Sequence, residues 1–264
     1  IGIFDSGVGG LTVANAILNR LPNERIVYFG DTAHLPYGEK SPSALRAYSE
    51  QITEFLLDQD CKMIVVACNS AWSAAQTSLA NEFADQVPII NVVDPVVNYV
   101  GERGYKKVGL IATRATVTNG IFSDKLRKIT SGLKLISKAT PLLVHVIEEG
   151  YVDDPMGKAV IQQHFQDQPF GDIEAFVLAC THFPVIKKQI GNYFPDSVEI
   201  IDASILVADQ VAATLKQCHL LSPSKSDKDQ YFVSDYTDVF LMTARSFYKH
   251  EIEVQLMNLW EAKD

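Results

Sequence analysis

Val65-Val66-Ala67-Cys68-Asn69-Ser70 recurs at an offset of 112 residues as Val177-Leu178-Ala179-Cys180-Thr181-His182. Each copy is an apolar, β-branched run that ends in a cysteine and passes into polar residues able to start a helix. A short run that is apolar at every position reads as a strand buried on both faces, the pattern of a parallel sheet covered by helices. A second pair supports the first. Ile1-Gly2-Ile3-Phe4-Asp5-Ser6 resembles Val108-Gly109-Leu110-Ile111-Ala112-Thr113 at an offset of 107. Two strand-to-loop junctions repeated in the same order mark a duplicated half-fold.

Working outward, strands are predicted at Ile1 to Phe4, Arg25 to Gly30, Met63 to Ala67, Pro88 to Asn91, Lys107 to Ala112, Glu174 to Ala179 and Val198 to Ile201. Between them Leu11 to Arg20, Pro42 to Leu57, Ser70 to Ala84 and Ala203 to Lys216 carry apolar residues at helical spacing. Alternating strands and helices predict an α/β fold. The repeat divides it into two pseudo-symmetric domains with mainly parallel sheets flanked by helices. The first is residues 1–93 plus 210–264, the second 94–209, and the active site lies between them. Ser222 to Gln230 is too polar to bury and reads as an exposed loop. Beyond it, a strand-like Tyr231 to Ser234, a helix-like Thr237 to Tyr248 and an alternating Glu251 to Met257 are expected to pack back on the first half.

The totals exclude several classes. No apolar run approaches the roughly 18 residues of a membrane span, and no signal peptide is read ahead of Ile1. A net charge of -9 without any block of Lys and Arg argues against nucleic-acid and anionic-membrane partners. The 4 cysteines show no Cys-x-x-Cys spacing, so neither a metal site nor a disulfide scaffold is expected, and a reducing cytoplasm fits best.

Cys68 and Cys180 stand where a strand hands over to a helix, and free N–H groups at a helix start favour a thiolate. Two such thiols suit removal of a proton from one side of a carbon and return from the other. A thiol hydrolase would need one cysteine with a histidine and would leave the second copy unexplained. Cys61 and Cys218 lack the setting and are read as structural. Gly7-Val8-Gly9 after the first strand, with Asp31 ending the second, imitates a dinucleotide fingerprint, but Thr12 stands where its third glycine belongs. That reading would account for neither cysteine. Asp31-Thr32-Ala33-His34-Leu35-Pro36-Tyr37-Gly38 has the turn residues of a loop at a site's mouth. Thr113 and Thr116 offer hydroxyls for a helix cap or a carboxylate, and Glu148 and His182 could relay protons beside a thiol.

The ordered segments Asp5-Ser6-Gly7-Val8-Gly9-Gly10-Leu11-Thr12-Val13, Pro36-Tyr37-Gly38, Ala67-Cys68-Asn69-Ser70-Ala71 and Ala179-Cys180-Thr181-His182-Phe183-Pro184 resemble the motifs of the glutamate racemases. The similarity runs nearly end to end. Aspartate racemases share the paired cysteines but are not expected to carry the Asp5-Ser6-Gly7 opening. The resemblance implies cofactor-independent interconversion of L- and D-glutamate, supplying D-glutamate for peptidoglycan, by a cytoplasmic homodimer. It implies that Cys68 takes the α-proton of D-glutamate with help from Asp5. Cys180 takes that of L-glutamate with help from Glu148 and His182. Substrate contacts fall to Asp5, Ser6, Tyr37, Gly38, Asn69, Ser70, Thr113, Thr116, Thr181 and His182. Three positions depart from the pattern: Ser70 replaces the usual threonine, Ala179 the usual glycine, and His145 lies where proline is commoner. Two alternatives stay open, a racemase of aspartate or another acidic amino acid, and a non-catalytic two-domain protein that binds acidic solutes.

Overall fold

In the computed structural model, which describes residues 1–166, 170–225, 227–236, 240, 243–244, 247–248 and 252–260, the first strand, β1 (Gly2–Asp5), is buried along its whole length. It lies between β2 (Val27–Gly30) and β3 (Ile64–Val66), both parallel to it. Helix α1 (Leu11–Arg20) joins β1 to β2, and α2 (Pro42–Asp58) joins β2 to β3. α2 starts on a local signal: the Ser41 side chain accepts from Ala44 N, and Pro42 occupies the first turn. Then follow α3 (Asn69–Phe83), β4 (Ile89–Asn91) and α4 (Asp94–Arg103), which ends on Gly104 in the left-handed region at φ 71°.

The second half repeats the scheme. β5 (Lys107–Ala112) leads through α5 (Arg114–Asn119) and α6 (Ile121–Ile129) to β6 (Lys134–Ala139). Helices α7 (Pro141–Glu148) and α8 (Pro155–Phe165) lead to β7 (Ala175–Ala179). α9 (Lys187–Gly191) precedes β8 (Glu199–Asp202), and α10 (Ala203–Gln217) follows, capped by the Asp202 carboxylate on Ser204 N. The tail adds β9 (Gln230–Val233) and β10 (Val254–Leu256) to the first sheet. The sheets read β10-β9-β2-β1-β3-β4 and β6-β5-β7-β8, every pair parallel. Four strands of the first, β2-β1-β3-β4, have the order of the whole second sheet, so the duplication seen in two sequence junctions extends to topology.

All seven predicted strands in the body of the chain form, and α1 spans the predicted residues. One strand is a correction. β6 went unread because Lys134-Leu135-Ile136-Ser137-Lys138-Ala139 is a half-exposed sheet edge without a continuous apolar run. The repeat could have found it, since Val27 moved by the β1-to-β5 offset falls on Lys134. Of the helix expected over Thr237 to Tyr248, residues 237–239, 241–242 and 245–246 lie outside the described residues, while Phe240, Thr243, Ala244 and Phe247 are helical. Among the described residues no helix is long and apolar enough to cross a membrane. Asp5, Asp31, Cys68, Thr113 and Cys180 all lie at or just beyond the carboxyl ends of their strands, where open α/β sheets bind ligands.

Candidate active site

Cys68 follows β3 and caps α3, with its backbone still extended at φ -80° and ψ 118°. Cys180 follows β7 and leads only into a 3-10 turn, Phe183–Ile186, and the short α9. The expectation of a helix start at both cysteines is therefore corrected at the second. The two cysteine residues are 6% and 7% exposed, so each is nearly closed to solvent. Burial pushes the Cys68 thiol well up, and the negative charge of Asp5 and a thiolate at Cys180 push it further, against backbone N–H groups of Ala71 and Ser70. That overturns the expectation that the helix terminus would make Cys68 acidic: removal from water outweighs two oriented amides.

Asp5 is fully buried, and burial holds its carboxyl up against the opposing His182 charge, Gly7 and Gly10 N–H groups and Thr181 hydroxyl. Oδ1 accepts from Gly7 N at 3.1 Å, and Oδ2 from Thr181 Oγ1 at 3.1 Å. The first strand of one half is thus bonded to the cysteine loop of the other. On the Cys180 side, His182 Nδ1 stands 3.7 Å from Sγ, and its Nε2 meets Glu148 Oε1. Burial lowers the His182 imidazole, but the charges and hydrogen bonds of Glu148 and Cys180 prevail and raise it well above its ordinary value. A carboxylate, an imidazole and a thiol in line can pass a proton from sulfur toward the helix α7 end.

The hydroxyls expected at the site also meet. Ser70 Oγ lies 2.8 Å from Thr113 Oγ1, which lies 3.2 Å from Thr116 Oγ1. These join the start of α3 to the start of α5 across the two halves. Gly38 is pressed against them, because a Cβ there would stand 2.7 Å from Thr113 Cβ. Tyr37 is buried with its hydroxyl donated to Asp31 at 2.6 Å, which leaves its backbone as what it can offer a ligand. Ser6 is buried beside Asp5, and Asn69 Oδ1 is buried with no hydrogen-bond partner among the described residues, an acceptor open to a bound donor. Among the described residues the His145 side chain meets Glu39, 3.6 Å away, and both are exposed.

The glycine tract has a different use from a phosphate cradle. A Cβ at Gly9 would meet His182 Nδ1 and Thr181 Oγ1 at 2.5 Å, and one at Gly10 would meet Asp5 Cβ at 2.4 Å. Small residues there admit the second half's cysteine loop. Three contributors escaped the sequence reading. Tyr28 donates its hydroxyl to Gly7 O at 2.6 Å; Thr243 donates to Glu148 O at 2.8 Å; the Phe247 ring meets His182 edge-on at 5.7 Å. Only the strand register of Tyr28 could have signalled the first. The tail residues carry no motif.

Residues 10–216 match the Asp/Glu/Hydantoin racemase family. A glutamate racemase of Thermus thermophilus is 40% identical over 261 residues, 99% of this chain and 97% of that protein. The crystal structure of the Francisella tularensis glutamate racemase in complex with D-glutamate superposes with a TM-score of 0.89 at 32% identity, covering 98% of this chain and 97% of that one. An aspartate racemase of Picrophilus torridus, at 24% identity and a TM-score of 0.58, shares the fold. The chain belongs to the Asp/Glu/Hydantoin racemase family and, within it, to the glutamate racemases, isomerases whose family role is in making peptidoglycan.

Proposed function

We propose that this glutamate racemase works without a cofactor by two bases, Cys68 for the α-proton of D-glutamate and Cys180 for that of L-glutamate. One thiolate removes the proton while the opposite thiol delivers another, so each turnover exchanges their protonation states. Asp5 serves Cys68, and His182 with Glu148 serves Cys180. Ser6, Tyr37, Gly38, Asn69, Ser70, Thr113, Thr116 and Thr181 hold the substrate. The observation that carries this reading is the Asp5–Thr181 bond, which brings the loop of one repeated cysteine onto the strand that flanks the other. Circular dichroism of glutamate incubated with chelator-treated protein tests it. Loss of rotation is expected; activity that returned only with added metal or pyridoxal phosphate would overturn it.

The two halves, 1–93 plus 210–264 and 94–209, are proposed as domains that part to admit glutamate. Support comes from the burial of both thiols and from sheets that draw on separate stretches, β1–β4 with β9–β10 and β5–β8. Closure keeps water from a carbanion-like centre. A cytoplasmic enzyme fits four cysteines that are all free. The homodimer rests on the family resemblance, and sedimentation at micromolar concentration would decide it.

A further inference from the structure

Asp31 directly follows β2 and is 0% exposed, yet among the described residues no Lys or Arg forms an ion pair with it. Its charge is met by donors instead. Oδ2 accepts from Tyr37 Oη at 2.6 Å and lies 2.9 Å from His34 Nδ1. Oδ1 accepts from Ser234 Oγ at 2.6 Å and from Trp260 Nε1 at 3.1 Å. These donors come from three separate stretches: the loop after β2, the end of β9 and the carboxyl-terminal segment. The rings close over them. His34 stacks on Tyr48 at 4.0 Å, and Trp260 packs edge-on against both, 4.7 Å from His34 and 5.1 Å from Tyr48. Gln51 Nε2 donates to Leu259 O, which fixes the segment one residue before the indole.

The other end of this cluster faces the site. Tyr37 precedes Gly38, Gly38 touches Thr113, and Thr113 shares a hydrogen bond with Ser70. We propose that Asp31 is a positioning residue for racemisation: held by Ser234 and Trp260, it fixes the Tyr37 hydroxyl and so sets the Gly38 backbone against Ser70 and Thr113. The assignment rests on the reading that Gly38, Ser70 and Thr113 hold the substrate. Asp31 touches neither thiol, so its loss acts on substrate binding and not on proton transfer. An Asn side chain offers one acceptor where Asp offers two, and the competing donors cannot all be satisfied.

The test is steady-state circular dichroism on the whole chain in both directions. Asp31→Asn is expected to raise KM for both enantiomers about tenfold with kcat within about threefold, the size of one hydrogen bond to a charged group. Tyr37→Phe should do the same, and the double variant should be no worse than the worse single, because both remove one link. Trp260→Phe keeps the ring and removes the donor; a KM rise of about two- to fivefold is expected. It also serves should Asp31→Asn fail to fold. KM at the parent value in Asp31→Asn or in Trp260→Phe, or single effects that multiply in the double variant, would overturn the assignment. Gly38→Ala separates this from the underlying reading. If it raises KM while Asp31→Asn and Tyr37→Phe do not, the positioning role alone falls; if it leaves KM unchanged, the substrate role of the loop falls with it.

Discussion

Cys68 and Cys180 leave equivalent strands of two sheets with the same order, yet Cys68 caps a helix of 15 residues and Cys180 heads a 3-10 turn of 4. Their neighbours differ as much. Cys68 has two backbone amides and a carboxylate whose charge opposes its ionisation. Cys180 has an imidazole on its sulfur, backed by Glu148. Duplication accounts for where the thiols stand, and later divergence for how each is served. A two-base racemase needs that inequality: at the start of a turnover one sulfur must be the base and the other the acid. Burial and Asp5 push the Cys68 thiol up while Cys180 faces an imidazole, so the two sulfurs stand in unlike surroundings.

The largest effect should come from breaking the pair. Cys68→Ser or Cys180→Ser should lower racemisation by about 10²- to 10⁴-fold, because a hydroxyl is far too weak an acid to replace either partner. One-base chemistry should survive unequally. With a leaving group at C3 of the substrate, Cys180→Ser should favour elimination from the D-series analogue and Cys68→Ser from the L-series one. Equal preference in the two variants would return one cysteine to a structural role.

A smaller effect should follow from changing the helpers and leaving the sulfurs. Glu148→Gln is expected to slow L-series elimination about tenfold and to spare the D-series, since it acts on Cys180 through His182. Asp5→Asn should show the opposite bias. The same Glu148 variant tests a linkage. Because His182 is raised in the folded state, the stability it contributes is complete below about pH 6.5 and is lost as pH climbs through its higher folded value. Urea midpoints should therefore fall across that alkaline window in the parent and fall less in Glu148→Gln. A steeper fall in the variant would contradict the pairing.

Which of these features could be read from the chain follows from how each is built. The buried strands β1, β3, β5 and β7 are apolar runs with sharp ends, so their cysteine and hydroxyl junctions stood out. β6 did not, because this edge strand is nowhere fully buried and carries lysines at Lys134 and Lys138. Asp5, Cys68, Cys180 and His182 lie inside motifs. Thr243 and Phe247 reach the relay from a tail whose spacing says only that it is a helix, and contact over 95 residues leaves no local trace. The acidity of Cys68 is hidden in the sequence for a related reason. A helix start is visible in sequence, whereas burial beside a carboxylate depends on what folds over it.

The smallest expected effect concerns Thr12, at the seam between the two cysteine environments. Its hydroxyl lies 2.9 Å from Gly9 O and 3.3 Å from Thr181 O, one proton shared between the first turn of α1 and the loop that follows Cys180. Thr12→Val keeps the shape and removes the donor. The cost should be about 1 kcal/mol, the net worth of an ordinary hydrogen bond, read as a lower denaturation midpoint. Among the described residues Thr12 is hydrogen-bonded to neither sulfur nor His182, so the ratio of D- to L-series elimination should hold at the parent value. A ratio shifted as far as that of Glu148→Gln would mean that the Cys180 loop takes its reactivity from its backbone seat on α1. The contrast between the two thiols would then belong to the packing of the halves and not to the imidazole.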